Sequence, residues 1–409
     1  MKRLLGIIKK EDSEQLFVNS GSFVGLVDNS QSKEFKAYKW QKELFESKEP
    51  KDELFNFRLG PSSGALLESV TFNIFTYGER IKEVYIDNSY KSRSIEKLMI
   101  KKDVFEGLRL AEQICTSFAF SHSCAYSKAI ENAFNIQPSY KTKIMRLIFI
   151  ETERIFNHIY VISRLADAAA QKVLANHLIY LFDEILENNK YLFKNRFLKN
   201  INSIGTIKYI SLDQLKIFVN KLENIVNKFE KLYKFSLKSE NYLDRLHNTG
   251  LLTTDDFEEF NFDGPAVKAM NFSLDTRSFE DLFDDFKPIL EEGSDALSRM
   301  IVRAKEIFQS IDLIKKLLIK LQKNIDEKNK NISIDDDQQK RNTIALTESP
   351  SGTIYYYIEL VGNKIDYVYV ATPSFFLVKA MEKALIGQIF TDFTFTVESF
   401  GAFFSDAAK

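Results

Sequence analysis

The chain has 409 residues, 44% of them hydrophobic and 28% charged, a composition with enough apolar material for a large core. Its 56 basic and 57 acidic residues leave a formal net charge of −1, which argues against nucleic acid as a partner, because a phosphate-binding surface needs a basic excess. Two cysteines exclude a disulfide framework, and no run approaches the roughly 18 apolar residues of a membrane-crossing helix. No leader pattern opens the chain, so the expectation is a reduced, cytoplasmic protein that can lie against a membrane protein.

In chain order, residues 1–53 read as a short β-rich segment ("LLGIIKK", "LFVNSGSFVGLV") followed by a charged linker, "SKEPKDE". Residues 54–409 form the main domain. It opens with a hairpin, "VTFNIFTYGERIKEVYI", whose alternation buries Val70, Phe72 and Ile74 on one strand and Ile81, Val84 and Ile86 on the next, with Tyr77-Gly78-Glu79 at the turn. From Ser94 to about Lys234 the apolar period becomes three and four, the mark of amphipathic helices, with Pro138 starting a new one and a break from Asn202 to Tyr209. A loop-rich section, Asn248 to Leu282, leads to a long helix from about Ser294 to Asn324. A polar loop then ends near Arg341. A second hairpin turns at Gly362-Asn363, and a short helix ("PSFFLVKAMEKAL") and an aromatic tail complete the chain. The expected fold class is mainly α (α+β), a helical bundle with peripheral β-hairpins.

The chemistry-bearing residues are few. There are four histidines, of which His158 lies one helical turn beyond Arg154. Glu151 and Glu153, two residues apart, cannot share a helix face. "GPSSGA" at Gly60 lacks the Lys-Ser/Thr of a phosphate loop, and no HExxH or CxxC occurs. Cys115, His122 and Cys124 fall close together in "QICTSFAFSHSCAYSKAIENAFNI", the one stretch that suggests a metal site or its remains.

That stretch resembles the segment of nickel–iron hydrogenase large subunits that carries a Cys-x-x-Cys pair. The same fold serves as the quinone-cavity subunit of respiratory complex I. Further motifs follow in family order: the Gly-Pro-led hairpin "LGPSSGALLESVTFNIFTYGERI"; "SYKSRSIEKL", keeping Tyr90, Arg93, Glu96 and Lys97; and "ETERIFNH", keeping Glu151, Arg154 and His158. Then come "FDGPAVKAMNFSLDTR", with Asp275 and Arg277 kept and Lys268 in place of arginine, "EEGSDALSRMIVRAKEI", with Asp295, Arg299 and Arg303, and "TESPSG". The resemblance runs from about Phe55 onward and is nearest to the membrane-bound, energy-converting branch typified by formate hydrogenlyase.

The departures from the family matter more. Of four nickel-binding thiolates, the resemblance retains Cys115 alone, with Phe118 at the second position and Asp392 and Phe395 at the two C-terminal ones. One thiolate cannot build a sulfur-rich nickel site, so the expectation is no metal. At the quinone-anchoring positions stand Ser63 and Thr116, hydroxyls that hydrogen-bond but do not donate protons near neutrality. The resemblance therefore implies a non-metallated large-subunit homologue, peripheral on the cytoplasmic side of the inner membrane. Its partners would be a small iron–sulfur subunit, which holds the cluster, and membrane-arm subunits of a complex I-like assembly supporting electron-coupled ion transport. The alternative is an active oxidoreductase subunit that binds a quinone or other acceptor in the remodelled cavity. Arg93, Glu96, Glu151, Arg154, His158, Asp275, Arg277, Asp295, Arg299 and Arg303 are expected to be paired in a structural or coupling network, since buried charges are costly alone. In the tail, Phe393 and Phe395 are expected to fill the vacated cavity, and Phe400, Phe403 and Phe404 to contact a partner.

Overall fold

The computed structural model describes residues 2–10, 13–42, 54–64, 68–323, 334 and 336–409. The linker expected at Ser47–Glu53 lies outside them. Three antiparallel strands, β1 (Arg3–Lys10), β2 (Ser13–Asn19) and β3 (Val24–Asp28), form the first sheet, followed by the short helix α1 (Ala37–Lys42). This sheet is packed onto the rest of the protein. The Phe17 ring stands edge-on to Tyr355 and Tyr369 (6.3 and 6.1 Å), and Arg3 pairs with Asp263 at 3.1 Å. Gly6 permits the approach, because a Cβ there would lie 2.0 Å from the Tyr369 hydroxyl.

The second sheet holds β4 (Phe55–Leu59), β5 (Thr71–Tyr77) and β6 (Arg80–Asp87). Its β5–β6 hairpin turns at Gly78, whose φ of +76° suits glycine. Then come α2 (Ile95–Met99), α3 (Val104–Ile114), α4 (Ala119–Ala133), α5 (Tyr140–Ala168) and α6 (Lys172–Phe193). A two-residue ribbon, β7 (Asn202–Ser203) and β8 (Thr206–Ile207), occupies the expected break before α7 (Leu212–Ser236). Helix starts follow local chemistry. Asp103 accepts from the backbone N–H groups of Phe105 and Glu106, and Ser211 with Gln214 forms a capping box on α7.

A short helix, α8 (Glu240–Leu246), comes next, and the section read as loop contains two more, α9 (Thr254–Phe260) and α10 (Pro265–Lys268). The α9 start was legible in principle, since Thr253 and Asp256 make a capping box. The long helix α11 (Ala296–Lys323) follows, then a third antiparallel sheet of β9 (Lys340–Ser349), β10 (Gly352–Val361) and β11 (Lys364–Ala371). Strand β9 was not anticipated. It is an edge strand with a polar, exposed first half, so its alternation is weak, and its buried half packs against α4. The chain ends with α12 (Pro373–Leu385), α13 (Phe393–Phe400) and α14 (Phe404–Ala408).

Helices α5, α6, α7 and α11 bury one apolar cluster, including Phe149, Ile155, Leu178, Leu222, Phe229, Ile307 and Leu317. The sheets and tail enclose others. In the tail, Phe393 and Phe395 are buried, and so are Phe400 and Phe404, which overturns the expectation that those two face a partner. The chain reverses at Gly401 (φ +58°), swinging Phe404 edge-on to Phe72 at 5.8 Å. Phe403, half-buried, packs on Phe118 at 5.1 Å. None of the described helices is long and apolar enough to cross a membrane.

Candidate functional site

Two polar stripes meet where α5 lies against α11. On α5, Glu151, Arg154 and His158 fall at i, i+3 and i+7; on α11, Arg299, Arg303, Glu306 and Ser310 fall at i, i+4, i+7 and i+11. All seven are buried. The end of α10 inserts Lys268, and the segment after it inserts Asp275 and Arg277, between them. Glu306 is the hub. It accepts from His158 at 2.7 Å and Arg277 at 3.0 Å and contacts Lys268 still more closely, with Arg154 at 3.9 Å. Arg277 also holds Asp275 (2.7 Å) and Glu151 (3.1 Å), while Lys268 reaches Asp275 at 3.0 Å. Arg154 pairs with Glu151 at 3.2 Å and donates to the carbonyls of Glu348 and Ser349 at 3.0 Å, tying α5 to the end of β9.

Burial opposes the charges of Glu306, Asp275, Lys268 and Arg277, yet their mutual pairing wins. Glu306 and Asp275 are held below the usual carboxylate range by Lys268 and Arg277, and Arg277 is raised by its three carboxylates. His158 behaves differently. Burial drives its pKa down to about 3, so the ring is neutral. Arg303 can only donate, to Nδ1 at 3.1 Å, so Nε2 carries the proton and donates to Glu306. Among the described residues, Arg303 and Arg299 have no carboxylate in contact. Arg303 donates to the Phe400 carbonyl (2.6 Å), and Arg299 donates to the Gly250 carbonyl and Ser399 and lies over the Phe400 ring at 4.4 Å. Burial lowers them to about 10 and about 9.

The structure thus divides the expected network. Glu151, Arg154, His158, Asp275 and Arg277 come together, with Arg303 joined through His158 and Arg299 one turn beyond. Three other residues do different work, Asp295 at the N-terminal start of α11 and Arg93 and Glu96 on the short segment around α2. Asp295 accepts from Asn248 and Ser298 backbone N–H groups at 2.8 Å, at the start of α11. Glu96 accepts from the Val370 N–H (2.7 Å) and pairs with Lys409 (3.3 Å). Arg93 donates to the Gln113 carbonyl at 2.6 Å and to the Ile114 carbonyl, bracing the end of α3.

Beside that brace lies a cavity of about 410 Å³. Arg93, Cys115, Thr116, Tyr160, Arg164 and Phe403 are among its lining residues. Cys115 sits at its wall with 1% exposure, its Sγ 3.9 Å from the Ser405 hydroxyl. Burial, with Asp406 and Glu68 nearby, pushes the thiol well above its ordinary range. The Thr116 hydroxyl accepts from Lys199 at 3.1 Å. Glu68 accepts from the backbone N–H groups of Phe404 and Ser405 (2.5 and 3.1 Å), holding the tail against the cavity. Ser63 is not among the lining residues; it lies in the loop after β4.

The C-terminal register expected from the resemblance is corrected here. Phe395 turns into the helical cluster, 5.5 Å under the Arg245 guanidinium, and Asp392 lies in the turn before α13 beside Thr391. The residues that face Cys115 and Phe118 are instead Phe403 and Ser405, because the chain reverses only at Gly401. Asp406 is turned away to His122, 2.9 Å from Nε2, while Nδ1 of that ring contacts the Tyr356 hydroxyl at 3.0 Å. With one thiol, two phenyl rings and a hydroxyl, the donor set does not fit a sulfur-ligated nickel ion. Cys124 is buried apart from the cavity, in the cluster shared by α4 and α5. Among the described residues, no three His, Cys, Asp or Glu side chains are gathered so as to hold a metal ion.

Sequence reasoning missed Glu306, although it lies one turn beyond Arg303 on the same helix face, and that spacing was the available signal. It also missed Glu153, which accepts from the Phe120 and Ser121 N–H groups (2.8 and 3.0 Å) at the start of α4 and which burial raises to about 7. Tyr160, Arg164 and Glu398, the last two paired at 2.9 Å, carried no motif.

Residues 183–409 match the family described as respiratory-chain NADH dehydrogenase, 49 Kd subunit. A carbon monoxide-induced hydrogenase of Rhodospirillum rubrum is 24% identical over 352 residues, 84% of this chain and 96% of that protein. An NADH-quinone oxidoreductase subunit of Phocaeicola vulgatus is 26% identical, covering 76% of this chain and 60% of that protein. Formate hydrogenlyase subunit 5 of Escherichia coli is 24% identical, covering 63% and 46%. The fold is also that of a chain of the membrane-bound sulfane sulfur reductase, an archaeal respiratory membrane complex, with a TM-score of 0.78 at 19% identity over 88% of this chain and all of that one. The α5–α11 charge seam, the Cys115 cavity and the three small sheets are therefore features of a member of the respiratory-chain NADH dehydrogenase 49 kDa subunit family, to which this chain belongs.

Proposed function

We propose that this chain is a large-subunit homologue without its own nickel–iron centre, working in a membrane-associated oxidoreductase assembly. In it the chain docks a small iron–sulfur subunit and membrane-arm subunits on the cytoplasmic side of the membrane and supports electron-coupled ion transport. The observation that carries this reading is the Cys115 wall of the cavity, where Phe403 lines the wall beside a single thiol and packs at 5.1 Å on the buried Phe118 ring. The names of the relatives, hydrogenases and NADH-quinone oxidoreductases, support the class of assembly.

A second reading keeps a redox role for the cavity itself. Its volume of about 410 Å³ falls within the ~300–1,000 Å³ of small-molecule sites, and its wall mixes aromatic rings with the Thr116 and Tyr160 hydroxyls, surroundings that suit a quinone or another flat acceptor. Purification of the native complex, with subunit identification, elemental analysis and quinone extraction, tests both. The expected result is co-purification with an iron–sulfur subunit and membrane proteins, and no stoichiometric nickel. About one nickel per chain would refute the first reading. A quinone retained in the wild type and lost with Tyr160→Leu would establish the second.

A further inference from the structure

The charge seam leaves some of its neighbouring polar groups unsatisfied at one place. At the β9 edge of the third sheet, between α5 and the segment after Asp275, lies a cavity with about 20 Å³ of room for water. Glu151, Thr276, Arg277, Glu280, Thr347 and Glu348 supply its polar lining. Glu348 and Thr347 are only 4% and 3% exposed, yet Glu348 Oε1 and Thr347 Oγ1 have no hydrogen-bond partner among the described residues. Buried polar atoms of this kind are nearly always satisfied, by protein or by an ordered water. One water needs roughly 10–15 Å³ and two to four polar partners, and this cavity meets both conditions. Its outer wall is Glu280, a partly exposed residue paired with Lys128 at 2.8 Å.

We propose that an ordered water occupies this cavity, bonded to Glu348 and Thr347, and that Glu348 is the group through which the seam exchanges a proton with solvent at the Glu280 face. The other Glu348 oxygen is already committed. Oε2 accepts from the Thr276 hydroxyl (2.7 Å), the Thr276 N–H (3.2 Å) and the Thr353 hydroxyl (2.8 Å), which leaves Oε1 to carry a proton. The surrounding charges set the balance. Asp275, Asp263 and Glu151 disfavour the carboxylate; Lys268, Arg154, Arg277 and, further off, Arg3 favour it; Tyr355 is neutral. Burial first and Asp275 second lift Glu348 to about 7, whereas Asp275 and Glu306 stay ionised. In the exchange step the carboxyl O–H breaks, the water takes the proton and passes one on to bulk solvent, and no electrons move. The carboxylate left behind is compensated by Lys268 and Arg154. Thr276, bonded to Glu348, is the chain neighbour of Arg277, and from the Arg277 guanidinium the contacts run through Glu306, His158 and Arg303 to the Phe400 carbonyl, next to Gly401 on the wall of the larger cavity. The proposal does not depend on what that larger cavity binds.

Infrared spectroscopy of the purified protein, in its complex, tests it. A carboxylic-acid C=O band that titrates near neutral pH is expected, lost in Glu348→Gln and retained in Glu153→Gln, which removes the other buried acid of similar pKa. The Glu348 band should move promptly on transfer to D2O. Thr347→Val, which takes away one partner of the water, should shift the band or slow its exchange, and it serves where Glu348→Gln fails to fold. A Glu348→Gln spectrum that has lost no neutral-range band, beyond the one that Glu153→Gln removes, overturns the proposal. So does a Glu348 band that resists D2O for hours, or one that Thr347→Val leaves unchanged in position and exchange.

Discussion

Removing Glu306 is the sharpest test of whether the seam holds the two longest helices together. In the wild type, Arg154, Lys268 and Arg277 face Glu151, Asp275 and Glu306, all buried. Glu306→Ala leaves three cations against two carboxylates and strips the acceptor from His158 Nε2. Breaking a buried pair by deleting one partner costs about 3–5 kcal/mol, because the remaining charge stays desolvated. Unfolding entropy of about 2.1 cal/mol/K per residue over 409 residues is roughly 0.9 kcal/mol/K, so a loss of ~4 kcal/mol lowers the midpoint by about 5 °C. The control is Arg196→Ala, whose partners Asp183 and Glu187 are exposed; surface pairs contribute under ~1 kcal/mol, or about a degree. Glu306→Gln, which keeps an acceptor for His158, should fall between the two. Differential scanning calorimetry and urea titration of the three variants provide the comparison. Equal midpoints for Glu306→Ala and Arg196→Ala would refute the claim that compensated charge stabilises the α5–α11 interface.

Three further outcomes are expected. Cys115 and Cys124, both raised by burial and the latter to about 12, should react slowly with iodoacetamide at neutral pH; rapid labelling of Cys115 in folded protein contradicts this. Glu153 is raised from 4.5 to about 7 chiefly by burial, so its protonated form is favoured by folding. Its contribution is full below about pH 4.5 and is lost as pH rises through about 7, on the order of 3 kcal/mol in all, and Glu153→Gln should flatten that part of the stability–pH curve. Deleting residues from Ser399 onward should destabilise the whole protein, because it removes the Arg299 and Arg303 acceptors, the His122 partner Asp406 and the buried Phe400 and Phe404. A truncated chain that melts like the wild type would show that the tail is dispensable.

Much of the candidate site was readable from residue spacing. Glu151, Arg154 and His158 lie on one face of any helix, as do Arg299 and Arg303, so the polar stripes required only that the segments be helical. The hairpin turns at Gly78 and Gly362-Asn363 and the helix beginning at Pro373 were likewise local matters, decided by turn chemistry and by the fixed φ of proline. The resemblance in motif order located the family.

Which residues meet across the core was decided by tertiary structure alone. Nothing local in "TVESFGAFFSD" says that the chain reverses at Gly401, yet that reversal puts Phe403 and Ser405, rather than Asp392 and Phe395, at the Cys115 wall. Arg93, Glu96 and Asp295 look like Arg154 and Asp275 in sequence, but they brace main-chain groups, Asp295 at the very start of α11, whereas the latter two pair with charged neighbours between α5 and α11. The pKa values follow the same division. Ordinary values belong to residue types, but the low value of Asp275 and the raised value of Glu348 come from desolvation and from charges brought near by folding, mostly from distant parts of the chain. A buried carboxylate takes its charge state from the neighbours that folding brings to it.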